Sequence, residues 1–197
     1  MKDPIELNQE FWNERWRNAE TGWDVGYATD PIVEFMSKYE NKNDKILIPG
    51  CGNAYEAEFL IEKEFTNIHL IDIATEAIEK LKTKFSNHNS INIICQDFFE
   101  LEGQFDLMIE QTFFCALPPH RRKDYVKKAA DLLAENGRIV GVLFDRNFEK
   151  QGPPFGGTKD EYLKLFEKHF EIKTMEKCYN SIPPRAGSEV FIELIKK

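Results

Sequence analysis

Lys45-Ile46-Leu47-Ile48-Pro49-Gly50-Cys51-Gly52-Asn53-Ala54-Tyr55 is the stretch whose reading decides the fold. Three aliphatics end abruptly in Pro-Gly-Cys-Gly, and helix-forming residues follow from Ala54 to Lys63. That order spells a buried parallel strand, a tight turn and a helix N-terminus. Gly50 and Gly52 tolerate positive φ and, lacking Cβ atoms, let a ligand lie against the backbone. The helix behind them aims free N–H groups at whatever sits over the turn. A nucleotide-binding turn ordinarily carries a third glycine, and Tyr55 stands in that place here. Further on, Asn67-Ile68-His69-Leu70-Ile71 forms a second aliphatic run closed by Asp72. An acidic residue at that distance is suited to the ribose hydroxyls of an adenosine-containing cofactor.

Outward from this pair the chain keeps alternating. Strands are expected at 45–49, 67–71, 91–95, 105–109 and 138–144, with helices at 54–63, 74–85 and 120–134 between them. Such alternation implies a parallel sheet with right-handed crossovers. A Gly/Pro-rich loop after Asp145 leads to a helix at 158–168 and two last strands, around 170–178 and at 189–195. The expectation is therefore one α/β domain over 1–197. Its core (45–197) is a doubly wound, Rossmann-like sheet of seven strands with the last strand antiparallel. Residues 1–44 form an N-terminal helical lid, with helices at 6–19 and 32–39.

Composition sets outer limits. The chain has 197 residues, 42% hydrophobic and 30% charged, as in ordinary soluble domains. No apolar run approaches the roughly 20 residues that span a bilayer, and Met1-Lys2-Asp3-Pro4 lacks the apolar core of a signal peptide. Cys51, Cys95, Cys115 and Cys178 are scattered, with no C-x-x-C pair and no histidine at metal spacing. Reduced thiols, no metal and a cytoplasmic location are the expectation. Net charge is −8, and no cluster of four basic residues offers the stripe that nucleic acid requires. A small-molecule substrate is expected, handled by a monomer.

In doubly wound sheets ligands bind beyond the carboxyl ends of the strands. Those ends are Gly50–Gly52, Asp72, Asp97-Phe98, Glu110 and Asp145. Asp97 can offer a carboxylate to an adenine amino group, and Phe98 an aromatic face to its ring. All three tryptophans, Trp12, Trp16 and Trp23, fall in the N-terminal segment. Indole faces attract cations. A carboxylate-rich site roofed by indoles suits a sulfonium better than a pyrophosphate, which points to S-adenosyl-L-methionine.

Five ordered motifs carry a resemblance that covers the chain from about residue 11 to its C-terminus. They are Phe11-Trp12-x-x-Arg15-Trp16 with Thr21-Gly22-Trp23-Asp24-x-Gly26; Pro49-Gly50-Cys51-Gly52-Asn53-Ala54-Tyr55-Glu56-Ala57; Asp97-Phe98-Phe99; Cys115-Ala116-Leu117-Pro118-Pro119-x-x-Arg122-x-x-Tyr125; and Gly152-Pro153-Pro154-Phe155. Together they resemble the thiopurine S-methyltransferase family of S-adenosylmethionine-dependent enzymes. Thr112-Phe113-Phe114-Cys115-Ala116-Leu117 is similar to the plant halide/thiol branch of that family. The resemblance implies cofactor contacts at Trp12, Trp16 and Trp23, at Gly50 with its neighbours Pro49, Cys51 and Gly52, at Asp72 and at Asp97-Phe98; Ile73 beside Asp72 and Glu110 at its strand end complete the expected cofactor-binding set. It places Arg122 on the substrate side, with Arg185 of Pro183-Pro184-Arg185 as its partner. The reaction it implies is methyl transfer to a small thiol, thiopurine, halide or bisulfide by in-line displacement. Three other readings share parts of this pattern, among them a nucleic-acid amino methyltransferase, whose Asn/Asp-Pro-Pro-aromatic motif Leu117-Pro118-Pro119-His120 mimics without the leading polar side chain. A nicotinamide-dependent oxidoreductase would use the same strand–turn–helix and Asp72, and a non-catalytic S-adenosylmethionine-binding protein would keep the whole fold.

Overall fold

Strand periodicity of two assigns alternate residues to opposite layers. β1 (Ile46–Pro49) is buried throughout, and Leu47 joins one hydrophobic core while Ile46 and Ile48 join the other. The computed structural model describes residues 6–150 and 152–197; the first five residues of the expected lid lie outside the described residues. In chain order it contains α1 (Gln9–Arg17), α2 (Asp30–Ser37), β1, α3 (Tyr55–Glu62), β2 (Ile68–Asp72), α4 (Thr75–Lys84), β3 (Ile91–Cys95) and β4 (Phe105–Gln111). Then come α5 (Arg122–Leu132), β5 (Leu133–Phe144), α6 (Lys159–Phe166), β6 (Phe170–Lys177) and β7 (Glu189–Lys196).

The seven strands form one sheet in the order β3-β2-β1-β4-β5-β7-β6. Pairings from β3 through β5 are parallel, and β7 runs antiparallel to both β5 and β6. Strand order reverses at β1, so the crevice for a ligand opens where β1, β2 and β4 end. One layer packs α5 and α6 residues such as Tyr125, Val126 and Phe166 against the sheet, and the other packs Met36, Leu60 and Leu81 from α2, α3 and α4.

Two strand boundaries differ by two residues or more from the sequence expectation, each for a local reason. β4 runs two residues further, to Gln111, because its ladder with β5 continues through Glu110↔Gly141 and Gln111↔Val142. β5 begins at Leu133, inside the stretch that reads as helix. Leu133 pairs with Phe105, the register then slips, and Asn136 takes a left-handed φ of 60° in the slipped segment.

The N-terminal helical segment, expected as a lid, is fastened to the core by polar as well as apolar contacts. α1 lays Trp16 on Ala74 and Ala77 at the start of α4. Asn13, buried on the same helix face, accepts from Thr75 Oγ1 (3.1 Å) and from the Glu76 backbone N–H (3.2 Å). An N-terminus without a cap of its own is thus capped from another element.

Candidate active site

The turn after β1 is held in a conformation that favours glycine. Gly50 and Gly52 have φ of 56° and 52°. A Cβ on Gly50 would lie 2.4 Å from Phe113 Cδ2, so only glycine lets the turn after β4 close against the turn after β1. Over Gly52 the tryptophans gather: a Cβ there would meet Trp16 Cζ2 at 3.7 Å and Trp23 Nε1 at 4.0 Å.

Asp72 braces this turn from the end of β2. One carboxylate oxygen accepts from Gly52 N–H (3.0 Å) and the other from Ala74 N–H (2.9 Å). Burial pushes its pKa up, and the backbone hydrogen bonds oppose that shift. Each oxygen retains a lone pair, so hydroxyl donors could still be received. Asp97 caps the short turn after β3 by accepting from Phe99 N–H (2.9 Å).

Together these elements enclose a cavity of about 1050 Å³. Its wall includes Trp12, Trp16 and Trp23 from the lid, Gly50 and Gly52, Asp72 and Ile73, and Asp97 and Phe98. Thus the turns after β1, β2 and β3 and the N-terminal helical segment meet around one space. Trp23 lies edge-on to Trp12 (5.6 Å) and to Trp16 (6.0 Å). Pro49, Cys51, Glu110 and Arg122 do not line the cavity. Cys51 is buried beneath the glycine turn, and its pKa is raised by burial and by Asp72 nearby.

The two arginines occupy different settings. Arg122 is buried, with Nη2 donating to the carbonyls of Phe155 (3.2 Å) and Gly156 (2.9 Å) while its guanidinium lies over the Phe114 ring. It therefore clamps the loop that carries Pro153 and Pro154 into the cavity wall. Arg185 reaches the cavity itself. Its Nη2 donates to the carbonyl of Trp23 (3.0 Å), and Nη1 lies 3.6 Å from a Glu189 carboxylate oxygen. That Nη1 is buried without a hydrogen-bond partner among the described residues.

Several contributors escape the sequence reading. Asp24 latches the lid, accepting from Asn53 Nδ2 (2.6 Å) and from Tyr55 OH (3.3 Å). Tyr55, in the place of a third glycine, therefore ties the N-terminal segment to the start of α3. Arg121 and His120 line the cavity, and Arg121 stacks on Phe99 at 3.9 Å. Cys115 also lines it. Burial and the Glu110 carboxylate push its thiol up to about 12, leaving it protonated at neutral pH.

An open sheet of this order, with an antiparallel seventh strand slotted between the fifth and sixth and a glycine turn after β1, defines a class I methyltransferase. The fold match agrees: the Burkholderia thailandensis 1,6-didemethyltoxoflavin-N1-methyltransferase, solved with bound 1,6-didemethyltoxoflavin and S-adenosylhomocysteine, superposes with a TM-score of 0.75. That match is at 15% identity and covers 100% of this chain and 93% of that one. Within this class the chain belongs to the thiopurine S-methyltransferase family, whose profile matches residues 7–194. It is 29% identical to the Arabidopsis thaliana probable thiol methyltransferase 2, over 90% of this chain and 81% of that protein. It is 28% identical to the thiopurine S-methyltransferase of Marinobacter nauticus, over 87% of each.

Proposed function

We propose that this methyltransferase uses S-adenosyl-L-methionine to methylate a small nucleophile that reacts as an anion, such as a thiolate, thiopurine, bisulfide or halide. The observation that carries the acceptor assignment is the guanidinium of Arg185, set in the cavity wall with Nη1 buried, ion-paired with Glu189 at 3.6 Å and making no hydrogen bond among the described residues.

The donor end of the cavity fits the cofactor. Asp72 offers acceptors for ribose hydroxyls, Asp97 and Phe98 offer a carboxylate and a ring face for adenine, and Gly50 and Gly52 admit close backbone approach. The three indoles supply faces that attract a sulfonium. When bound, the cofactor supplies an electrophilic methyl group, and the protein's own task is alignment and exclusion of water. Alignment of this kind is worth roughly 7–11 kcal/mol. Arg185 is charged at every relevant pH and draws an anion into a protein whose net charge is −8. A cation at that point also favours thiolate over thiol. Arg122 acts on the acceptor through the Pro153–Pro154 loop that it clamps.

Replacement of Arg185 tests this reading. Arg185→Ala is expected to raise KM for bisulfide and for an aromatic thiol about tenfold or more, the scale of a lost charged hydrogen bond, with the KM for S-adenosylmethionine changed less. Unaltered acceptor KM values would leave Arg185 as a fastener of the lid.

A further inference from the structure

We propose that Glu110 is a positioning residue that sets the aromatic wall of the donor site without touching the ligand. The inference rests on the reading of the cavity as an S-adenosylmethionine site. Glu110 is fully buried near the end of β4 and lies behind the cavity wall. Its two carboxylate oxygens are used separately. One accepts from the Phe114 backbone N–H (2.8 Å), fixing the turn that follows β4. The other accepts from Tyr125 OH (2.7 Å), joining that turn to α5.

Each bond governs one ring of the wall. The turn held at Phe114 presents Phe113, which sits so close to Gly50 that a Cβ there would clash. The tyrosine held by the other oxygen stacks on Phe98 with ring centroids 5.5 Å apart, and Phe98 meets Phe113 edge-on at 5.2 Å. Both Phe98 and Phe113 face the cavity. One carboxylate thus fixes two rings from opposite sides, in a low-dielectric setting where an unmatched acceptor would be costly.

Glu110→Met keeps the side chain's length and removes both acceptors, while Glu110→Gln keeps an acceptor for Phe114 N–H and a donor for the tyrosine oxygen. Tyr125→Phe removes one bond alone. Binding of S-adenosylhomocysteine by calorimetry, well below each variant's Tm, is the readout. Glu110→Met is expected to raise Kd about tenfold or more, Tyr125→Phe about threefold, and Glu110→Gln to restore near wild-type affinity, by the usual scale for hydrogen bonds to charged and neutral groups. The KM for the methyl donor should rise with Kd while the acceptor KM moves less. Wild-type affinity in both Glu110→Met and Tyr125→Phe would overturn the proposal, and if Glu110→Met does not fold, Tyr125→Phe decides alone. A folded wild-type protein that fails to bind S-adenosylhomocysteine would instead overturn the cofactor reading itself.

Discussion

Single residues in this protein hold two jobs at once, and their substitutions should show both. Asp72 braces the glycine turn through Gly52 and Ala74 while facing the cavity. Asp72→Ala is therefore expected to weaken S-adenosylhomocysteine binding by about 1.5–3 kcal/mol and to lower Tm by several degrees as well. Loss of stability with unchanged affinity would reduce Asp72 to a turn brace. Glu110 offers a test against pH. Burial raises its pKa from 4.5 to about 7, against the pull of the Phe114 and Tyr125 hydrogen bonds. The folded state thus holds this proton more tightly than the unfolded one. Its contribution to stability is full below about pH 4.5, declines as pH rises toward about 7, and is flat above that. Relative to Glu110→Gln, the wild type should lose about 3 kcal/mol between pH 4.5 and 8 in denaturant titrations. A constant difference across that range would mean that Glu110 titrates normally.

At the scale of elements, the lid is the part whose behaviour matters most. It is tied by Asp24 to Asn53 and Tyr55, by the Trp23 carbonyl to Arg185, and by Asn13 to the start of α4. Asp24→Ala is expected to speed tryptic cleavage within residues 6–25, and S-adenosylhomocysteine to slow it in the wild type. Cleavage indifferent to both would make the segment a fixed wall. The place of the N-terminal segment beside the cavity was legible from its tryptophans and its Gly22/Gly26 break. Its fasteners were not, because Asp24, Asn53 and Tyr55 are 29 and 31 residues apart and each reads locally as a turn or helix-start residue. The strand–turn–helix at 45–63 and Asp72 were legible because a buried parallel strand is a run of aliphatics that ends where its ligand begins. The neighbouring arginines were harder. Arg121 and Arg122 are adjacent in sequence, yet a change of backbone from the short turn Pro119–Arg121 to α5 sends one to the cavity and one behind the Pro153–Pro154 loop. No pattern of residue types distinguishes them.

For the whole molecule, charge opposes the proposed chemistry. A net charge of −8 repels an anionic acceptor from a distance, and the guanidinium of Arg185 attracts it only near the cavity. Screening of the long-range field by salt should therefore raise kcat/KM for anionic acceptors as ionic strength increases from about 0.01 M to about 0.1 M, where the Debye length shrinks from roughly 30 Å to roughly 10 Å. A fall over that range would place the dominant field at the arginine instead. The central claim is that one cavity brings a sulfonium methyl and a small anion into line. Its most direct test is formation of methylated product and S-adenosylhomocysteine in stoichiometric amounts when the protein is given S-adenosylmethionine with bisulfide, iodide, an aromatic thiol or a thiopurine. The account predicts turnover with at least the thiol or bisulfide, at a rate that follows the ionised fraction of the acceptor. Binding of S-adenosylhomocysteine with no methylated product from any of the four would contradict it.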